Sequence, residues 1–186
     1  MDDRARAALD TAAETAVVVL LPEADPVVDE HRLRFDHARP WGVPAHLTVL
    51  YPFVPPGEVD DAVLAALAGA VRRVPPIDCV LAETAWFGDD VLWLAPSDDR
   101  PFRELIRTVS AAFPDHLPYG GAHGAEPVPH LTVAERGLAD DTEMRAAEAS
   151  VRERLPIHAS VRSVALIAGS RTPDSWSVVA TVPLGG

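Results

Sequence analysis

The tetrapeptide His-Leu-Thr-Val occurs twice in this chain of 186 residues, at 46–49 and at 130–133, and the same landmarks surround both copies. Leu20-Leu21-Pro22 and Leu94-Ala95-Pro96 precede them, and Pro76-Ile77 and Pro156-Ile157 follow. From His46 to Ile77 is 31 residues and from His130 to Ile157 is 27, so the two stretches stay in register to within four positions. Upstream, Pro22 to His46 spans 24 residues and Pro96 to His130 spans 34, the extra ten falling in the loop Asp115 to Val128. A unit used twice is a strong constraint, because each copy must bury its apolar side against something, and its partner is at hand. The order predicts an internal repeat, about 15–90 and 91–183, folded as one two-lobed domain over 1–186.

Hydrophobic spacing supplies the elements. Residues 3–13 read as a short helix, Thr15 to Leu21 as a buried, valine-rich strand, and Asp25-Pro26 as the start of a helix to about Phe35. A strand over 45–52 carries the first tetrapeptide. Val59, Val63, Leu64, Leu67, Val71 and Val74 recur at helical spacing until Pro75-Pro76, and 77–87 follows as a strand. The order then restarts: a strand at 91–95, a helix opened near Asp99 and Pro101, a strand at 129–135 carrying the second tetrapeptide, and a helix from about 140 to 155. One strand from Ile157 to near Ala168 and another from Ser175 to Pro183 close the chain. The expected class is α+β, with two mainly antiparallel sheets flanking a central cleft and helices packed outside.

In a strand, alternate side chains face opposite ways, so His46 and Thr48 share one face while Leu47 and Val49 share the other. His130, Thr132, Leu131 and Val133 repeat the pattern. Each strand thus has an apolar side for packing and a polar side holding an imidazole and a hydroxyl, about 7 Å apart along the chain. A single His-x-Thr on an apolar strand is more often a structural histidine bonded to backbone. Two copies in equivalent strands argue otherwise, since burying an imidazole and a hydroxyl without partners costs free energy each time and valine would fill a sheet without that cost. If the polar faces meet across a groove, two imidazoles stand on opposite sides of one site. Cleavage of a phosphodiester needs that arrangement: the nucleophile loses a proton on one side of phosphorus while the leaving oxygen gains one on the other. Histidine titrates near neutrality and serves either role. The threonine hydroxyls would donate to the non-bridging oxygens.

Composition removes rival chemistries. All 16 basic residues are arginine, and the chain contains no lysine, asparagine or glutamine. A P-loop, a lysine-nucleophile nucleotidyl transferase and a pyridoxal enzyme each require a lysine and are excluded. Cys79 is the single cysteine, so neither an intramolecular disulfide nor a multi-cysteine zinc site forms. The net charge of −12 argues against extended nucleic-acid binding, which draws its affinity from cations on phosphates. The apolar runs, Ala16 to Leu21 among them, are far below the roughly 20 residues of a membrane span. A soluble, cytoplasmic monomer without membrane association is expected.

At these residues the chain resembles the two-histidine (2H) phosphoesterase superfamily, which includes the bacterial 2'-5' RNA ligase-like proteins and cyclic phosphodiesterases. That pattern is His-x-Thr/Ser-x with a hydrophobic last position, occurring twice on strands of a bilobal, duplicated α+β fold. Both tetrapeptides satisfy it, and Tyr51 falls where an aromatic is common. The resemblance, over about 15–183, implies opening of 2',3'-cyclic phosphate ends on nucleotides or RNA to a 2'-phosphate, or making and breaking of 2',5' linkages, with no cofactor and no metal. Carried over, His46 is the acid protonating the departing oxygen and His130 the base, although symmetry leaves the two roles interchangeable. The implied partner is a small nucleotide or an RNA-end phosphate.

Further residues are weighed beside these. Tyr119 and His123, in the lengthened loop, are placed to stack on a base, and Arg39, Arg136 and Arg171, near strand ends, to meet phosphates. Tyr51, Tyr119 and Arg136 are therefore taken as substrate-binding. His116, His123 and His130 are spaced by seven but lack the acidic partners of a zinc motif. His31 and His37 read as surface residues, and Trp86, Trp93 and Trp176 as packing. A competing function is recognition of a nucleotide or RNA end without cleavage. A serine hydrolase has no support, there being no Gly-x-Ser-x-Gly turn.

Overall fold

Helices start where an acidic residue or a proline can satisfy the first turn. In the computed structural model, which describes residues 1–122 and 127–185, Asp2 caps α1 (Asp3–Thr11) by accepting from the Ala5 N–H, and Asp60 caps α3 (Asp61–Val71) through Val63. Asp140 and Glu143 form a reciprocal capping box on α5 (Asp141–Arg152). Pro26 and Pro101 sit in the first turns of α2 (Asp25–Phe35) and α4 (Arg100–Ala112), where the absent N–H is not missed.

Among the described residues, eight strands form two antiparallel four-stranded sheets. The first has β2 (His46–Leu50) at its edge, then β1 (Glu14–Leu20), β7 (Ser163–Gly169) and β8 (Ser177–Pro183). The second has β5 (Leu131–Glu135) at its edge, then β4 (Val91–Pro96), β3 (Ile77–Phe87) and β6 (Ile157–Val161). Each tetrapeptide strand is thus an edge strand paired to the strand that precedes it in sequence. The sheets do not coincide with the sequence halves: β3 pairs with β4 and β6, while β7 and β8 complete the sheet of β1. Helices cover the sheets: α2 follows a strand of the first sheet and packs on β5 of the second, and α4 follows a strand of the second and packs on β2 of the first. None is long and apolar enough to cross a membrane among the described residues.

The expected single strand from Ile157 to near Ala168 is two strands, broken at Arg162 where the chain passes from one sheet to the other. Burial explains the break. β6 is an edge with alternating exposure, whereas β7 is buried on both faces as a central strand. The change from the alternating Ile157-His158-Ala159-Ser160-Val161 to the continuous Val164 to Ala168 is visible in the sequence.

One large core runs between the sheets and under the helices. Leu47, Val49, Leu131 and Val133, the apolar halves of the two tetrapeptides, are all buried in it. A smaller cluster, with Ala16, Val18, Val43, Ile167 and Trp176, covers the other face of β1. Gly169 permits that cluster to close, because a Cβ there would lie 2.5 Å from Cγ of Trp176. Of the tryptophans expected to pack, Trp93 and Trp176 are buried; Trp86 is half-buried, its indole N–H donating to Glu148.

A two-histidine cleft between the sheets

The two tetrapeptides are built alike. In β2, His46 pairs with Leu20 and Thr48 with Val18; the register then slips, so that Leu50 opposes Val17 and Val49 has no partner of its own. In β5, Thr132 pairs with Trp93 and Ala134 with Leu92, leaving Val133 unpaired in the same way. A β-bulge therefore falls on the fourth residue of each copy, bending the edge strand just past its threonine. His130 sits one residue before β5 begins. The edge strands touch, and both His/Thr faces open onto one cleft of about 680 Å³.

Both imidazoles are held in the same pose. Nδ1 of His46 donates to the carbonyl of Pro44 at 2.8 Å, and Nδ1 of His130 donates to the carbonyl of Val128, also at 2.8 Å. A carbonyl only accepts, so these bonds place the hydrogen on Nδ1 and leave Nε2 as the working nitrogen, a base when the ring is neutral and an acid when it is charged. Burial pushes His46 down to about 4; the Arg32 guanidinium and His130 act in the same direction, opposed by the Pro44 bond and Asp36. His46 is thus uncharged at neutral pH in the free protein. The His130 ring packs edgewise against Phe87 and Trp93, at centroid distances of 4.9 and 5.9 Å.

Arg32 is the least anticipated member of this neighbourhood. It is 1% exposed in α2, donating from Nε to Asp36 at 2.8 Å and from Nη2 to the Val43 carbonyl at 3.3 Å. Asp36, itself buried, lines the cleft and also accepts from the Ala38 N–H. The pair braces the 36–45 segment that supplies the carbonyl for His46. Its i,i+4 spacing is legible in the sequence but describes a solvated surface pair equally well; only burial sets it apart.

The cleft has two chemically different ends. Following β2 past Thr48 leads to Tyr51, whose ring meets that of Tyr119 edge to face at 6.4 Å. The Tyr119 hydroxyl shares a hydrogen bond with Thr48, and burial pushes its pKa up, so it remains a donor at neutral pH. Tyr51 turns its hydroxyl away, donating to Glu14 at 2.7 Å beside Arg171. Following β5 past Thr132 leads instead to Glu135, hydrogen-bonded to His37, and to Asp90 on the turn before β4. Phe87, Asp90 and Glu135 carry no recognisable signal, since nothing local in the sequence says which turn reaches the groove.

Of the residues expected at the site, His46, Thr48, Tyr51, Tyr119, His130 and Thr132 all line this cleft. Arg136 does not. Its guanidinium lies outside, engaged by Asp90, Asp141 and the Asp89 carbonyl. Arg39 is paired with Asp29 and Arg171 with Glu14. His37, expected as a plain surface residue, reaches the rim through Glu135, and His31 bonds Ser150. The expected role of His123 falls outside the described residues. Among the described residues no three metal-ligating side chains converge. The buried Cys79 thiol is pushed up to about 11 by desolvation and is no nucleophile.

The family model of the 2'-5' RNA ligase superfamily matches residues 20–173. No curated protein matches the sequence. Among solved structures, the chain resembles TT0787 of Thermus thermophilus, with 19% identity, a TM-score of 0.61, and coverage of 93% of this chain and 98% of that one. It likewise resembles E. coli LigT complexed with NADP+, with 16% identity, a TM-score of 0.57, and coverage of 95% and 99%. A structure described as a phosphoesterase aligns at 18% identity, with a TM-score of 0.52 and coverage of 94% and 99%. At such identities the likeness is one of fold.

Proposed function

This chain belongs to the 2'-5' RNA ligase superfamily, and on that premise we propose that it is a phosphodiesterase acting on 2',3'-cyclic phosphate ends or 2',5' linkages of small nucleotides, with His46 and His130 as its acid–base pair. The observation that carries the reading is the matched pose of two imidazoles, each with Nδ1 bonded to the carbonyl two residues back and each beside a threonine hydroxyl, in one cleft. E. coli LigT has been crystallised with 3'-AMP and with NADP+; the ligand class proposed here, a nucleotide, agrees with that.

In ring opening, the attacking water gives its proton to one Nε2 as its oxygen bonds phosphorus, and the departing ribose oxygen takes a proton from the other Nε2 as its bond breaks. Each transfer contributes roughly a hundred- to ten-thousand-fold. Thr48 and Thr132 donate to the non-bridging oxygens, where charge accumulates. These four side chains supply every proton and hydrogen bond the step requires, so a metal-independent reaction is proposed. The neutral resting state of His46 supports one of the two assignments. Held neutral by burial and Arg32, His46 takes the proton of the nucleophile and His130 supplies the proton to the leaving group, the reverse of the assignment implied by the resemblance.

The test is turnover of a 2',3'-cyclic nucleotide by His46→Ala and His130→Ala, each expected to lose at least about a hundred-fold. A substrate whose leaving oxygen is replaced by sulfur needs no protonation; it restores turnover to His130→Ala and not to His46→Ala. Full activity in either variant on the natural oxygen ester overturns the acid–base reading, and rescue of His46→Ala alone reverses the roles. Nucleotide binding without turnover by the unmodified protein would favour a recognition module instead.

A further inference from the structure

The Glu135 end of the cleft carries an excess of carboxylate: Asp90 and Asp141 share the guanidinium of Arg136, and Glu135 bonds the His37 imidazole. Three carboxylates line the cleft, Asp36, Asp90 and Glu135, and among the described residues no arginine does. The chain has no lysine to substitute. The arginines nearest the site are already engaged: Arg32 by Asp36, Arg136 by Asp90 and Asp141, Arg171 by Glu14. A net charge of −12 adds to this background.

A single phosphodiester carries one negative charge, and the two threonine hydroxyls together with one protonated imidazole suffice to hold it. Among the described residues no arginine lines the cleft to meet a second phosphate, and at the Glu135 end that phosphate would face more carboxylate than cation. That end suits hydroxyl donors, since a carboxylate accepts from a ribose O–H as readily as it repels a phosphate.

Building on the phosphodiesterase reading above, we propose that the cleft selects substrates carrying one phosphodiester and no further phosphate, and that Asp90 and Glu135 are the residues that exclude the second. The preferred class is a nucleoside 2',3'-cyclic phosphate, or a 2',5'-linked dinucleoside monophosphate, with a free 5'-hydroxyl. Base contacts fall to the Tyr51–Tyr119 end, and the sugar hydroxyls to the acidic end.

The experiment compares kcat/KM for cytidine 2',3'-cyclic phosphate with that for its 5'-phosphorylated counterpart at low salt. A like charge held near a carboxylate at a protein surface costs about tenfold or more, and the 5'-phosphorylated substrate is expected to be that much worse. Raising ionic strength should narrow the ratio, and Asp90→Asn with Glu135→Gln should narrow it at constant salt. Equal kcat/KM for the two substrates overturns the proposal, as does a ratio that neither salt nor the double variant moves. If neither substrate is turned over, the phosphodiesterase reading fails by itself. Calorimetric titration of cytidine 2'-phosphate against cytidine 2',5'-bisphosphate then still decides charge selection, equal affinity refuting it and weaker binding of the bisphosphate supporting it.

Discussion

Acid should destabilise this protein through His46, by an amount that can be worked out. The imidazole titrates at 6.5 when unconstrained and at about 4 in the folded protein, chiefly because burial disfavours its charge and secondly because Arg32 stands beside it. Below pH 6.5 the unfolded chain binds a proton at this position while the folded chain does not until about pH 4. The sign follows: stability contributed by the neutral ring is fully present above pH 6.5 and is lost as pH falls through that window. Each pH unit in the window carries about 1.4 kcal/mol, so about 2 kcal/mol is lost by pH 5 and about 3 kcal/mol by pH 4. His46→Asn removes the titration and keeps a donor for the Pro44 carbonyl, because the Asn amide nitrogen takes the place of Nδ1. Urea unfolding, followed by tryptophan fluorescence at pH 7 and pH 5, should show the unmodified protein losing about 2 kcal/mol more on acidification than the variant. Carboxylates that titrate in the same range are shared by both proteins and largely cancel in that difference. Equal losses would mean that His46 is not held neutral, and its assignment as base would fall with that result.

Other expectations concern packing and the transition state. Arg32→Met leaves Asp36 buried without its partner and should cost about 3–5 kcal/mol in urea unfolding at neutral pH, far more than an exposed ion pair is worth. Thr48→Val and Thr132→Val should each lower kcat by about a hundred-fold with little change in KM, steady-state kinetics on a cyclic nucleotide being the check; a change confined to KM would make the hydroxyls ground-state contacts. Leu131→Ala, in the main core directly behind the second histidine, should destabilise by about 2–5 kcal/mol. Gly169→Ala drives a methyl group into Trp176 and should lower the thermal midpoint measurably, whereas Gly57→Ala, which has open space at the Cβ position, should not.

Much of the architecture is legible because its causes are local. The span of α2 from Asp25 to Phe35 follows from an acidic start, an early proline and apolar spacing, and β3 from Ile77 to Phe87 from a β-branched and aromatic run after two prolines. The catalytic candidates are legible for a different reason. An imidazole and a hydroxyl on the polar face of an otherwise apolar strand are costly unless used, and the chain carries that arrangement twice. At Arg162 the change of periodicity is visible but the change of sheet is hidden, because periodicity in one segment does not say which sheet the segment joins. Arg136 is misplaced by the same logic, since lying at a strand end says nothing about the direction a guanidinium takes when Asp90 and Asp141 compete for it.

By itself, then, the sequence determined the element types, the absence of lysine chemistry, and two His-Leu-Thr-Val strands whose side chains must alternate between core and groove. Those are consequences of covalent geometry and short-range spacing. Only the tertiary structure decided that the two edge strands touch, that both Nδ1 atoms are committed to backbone carbonyls, and that a buried Arg32 stands by one histidine. It alone shows one end of the groove to be aromatic and the other acidic. Such features depend on residues far apart in the chain meeting at low dielectric, where a neighbour's charge and the loss of water change what a side chain can do.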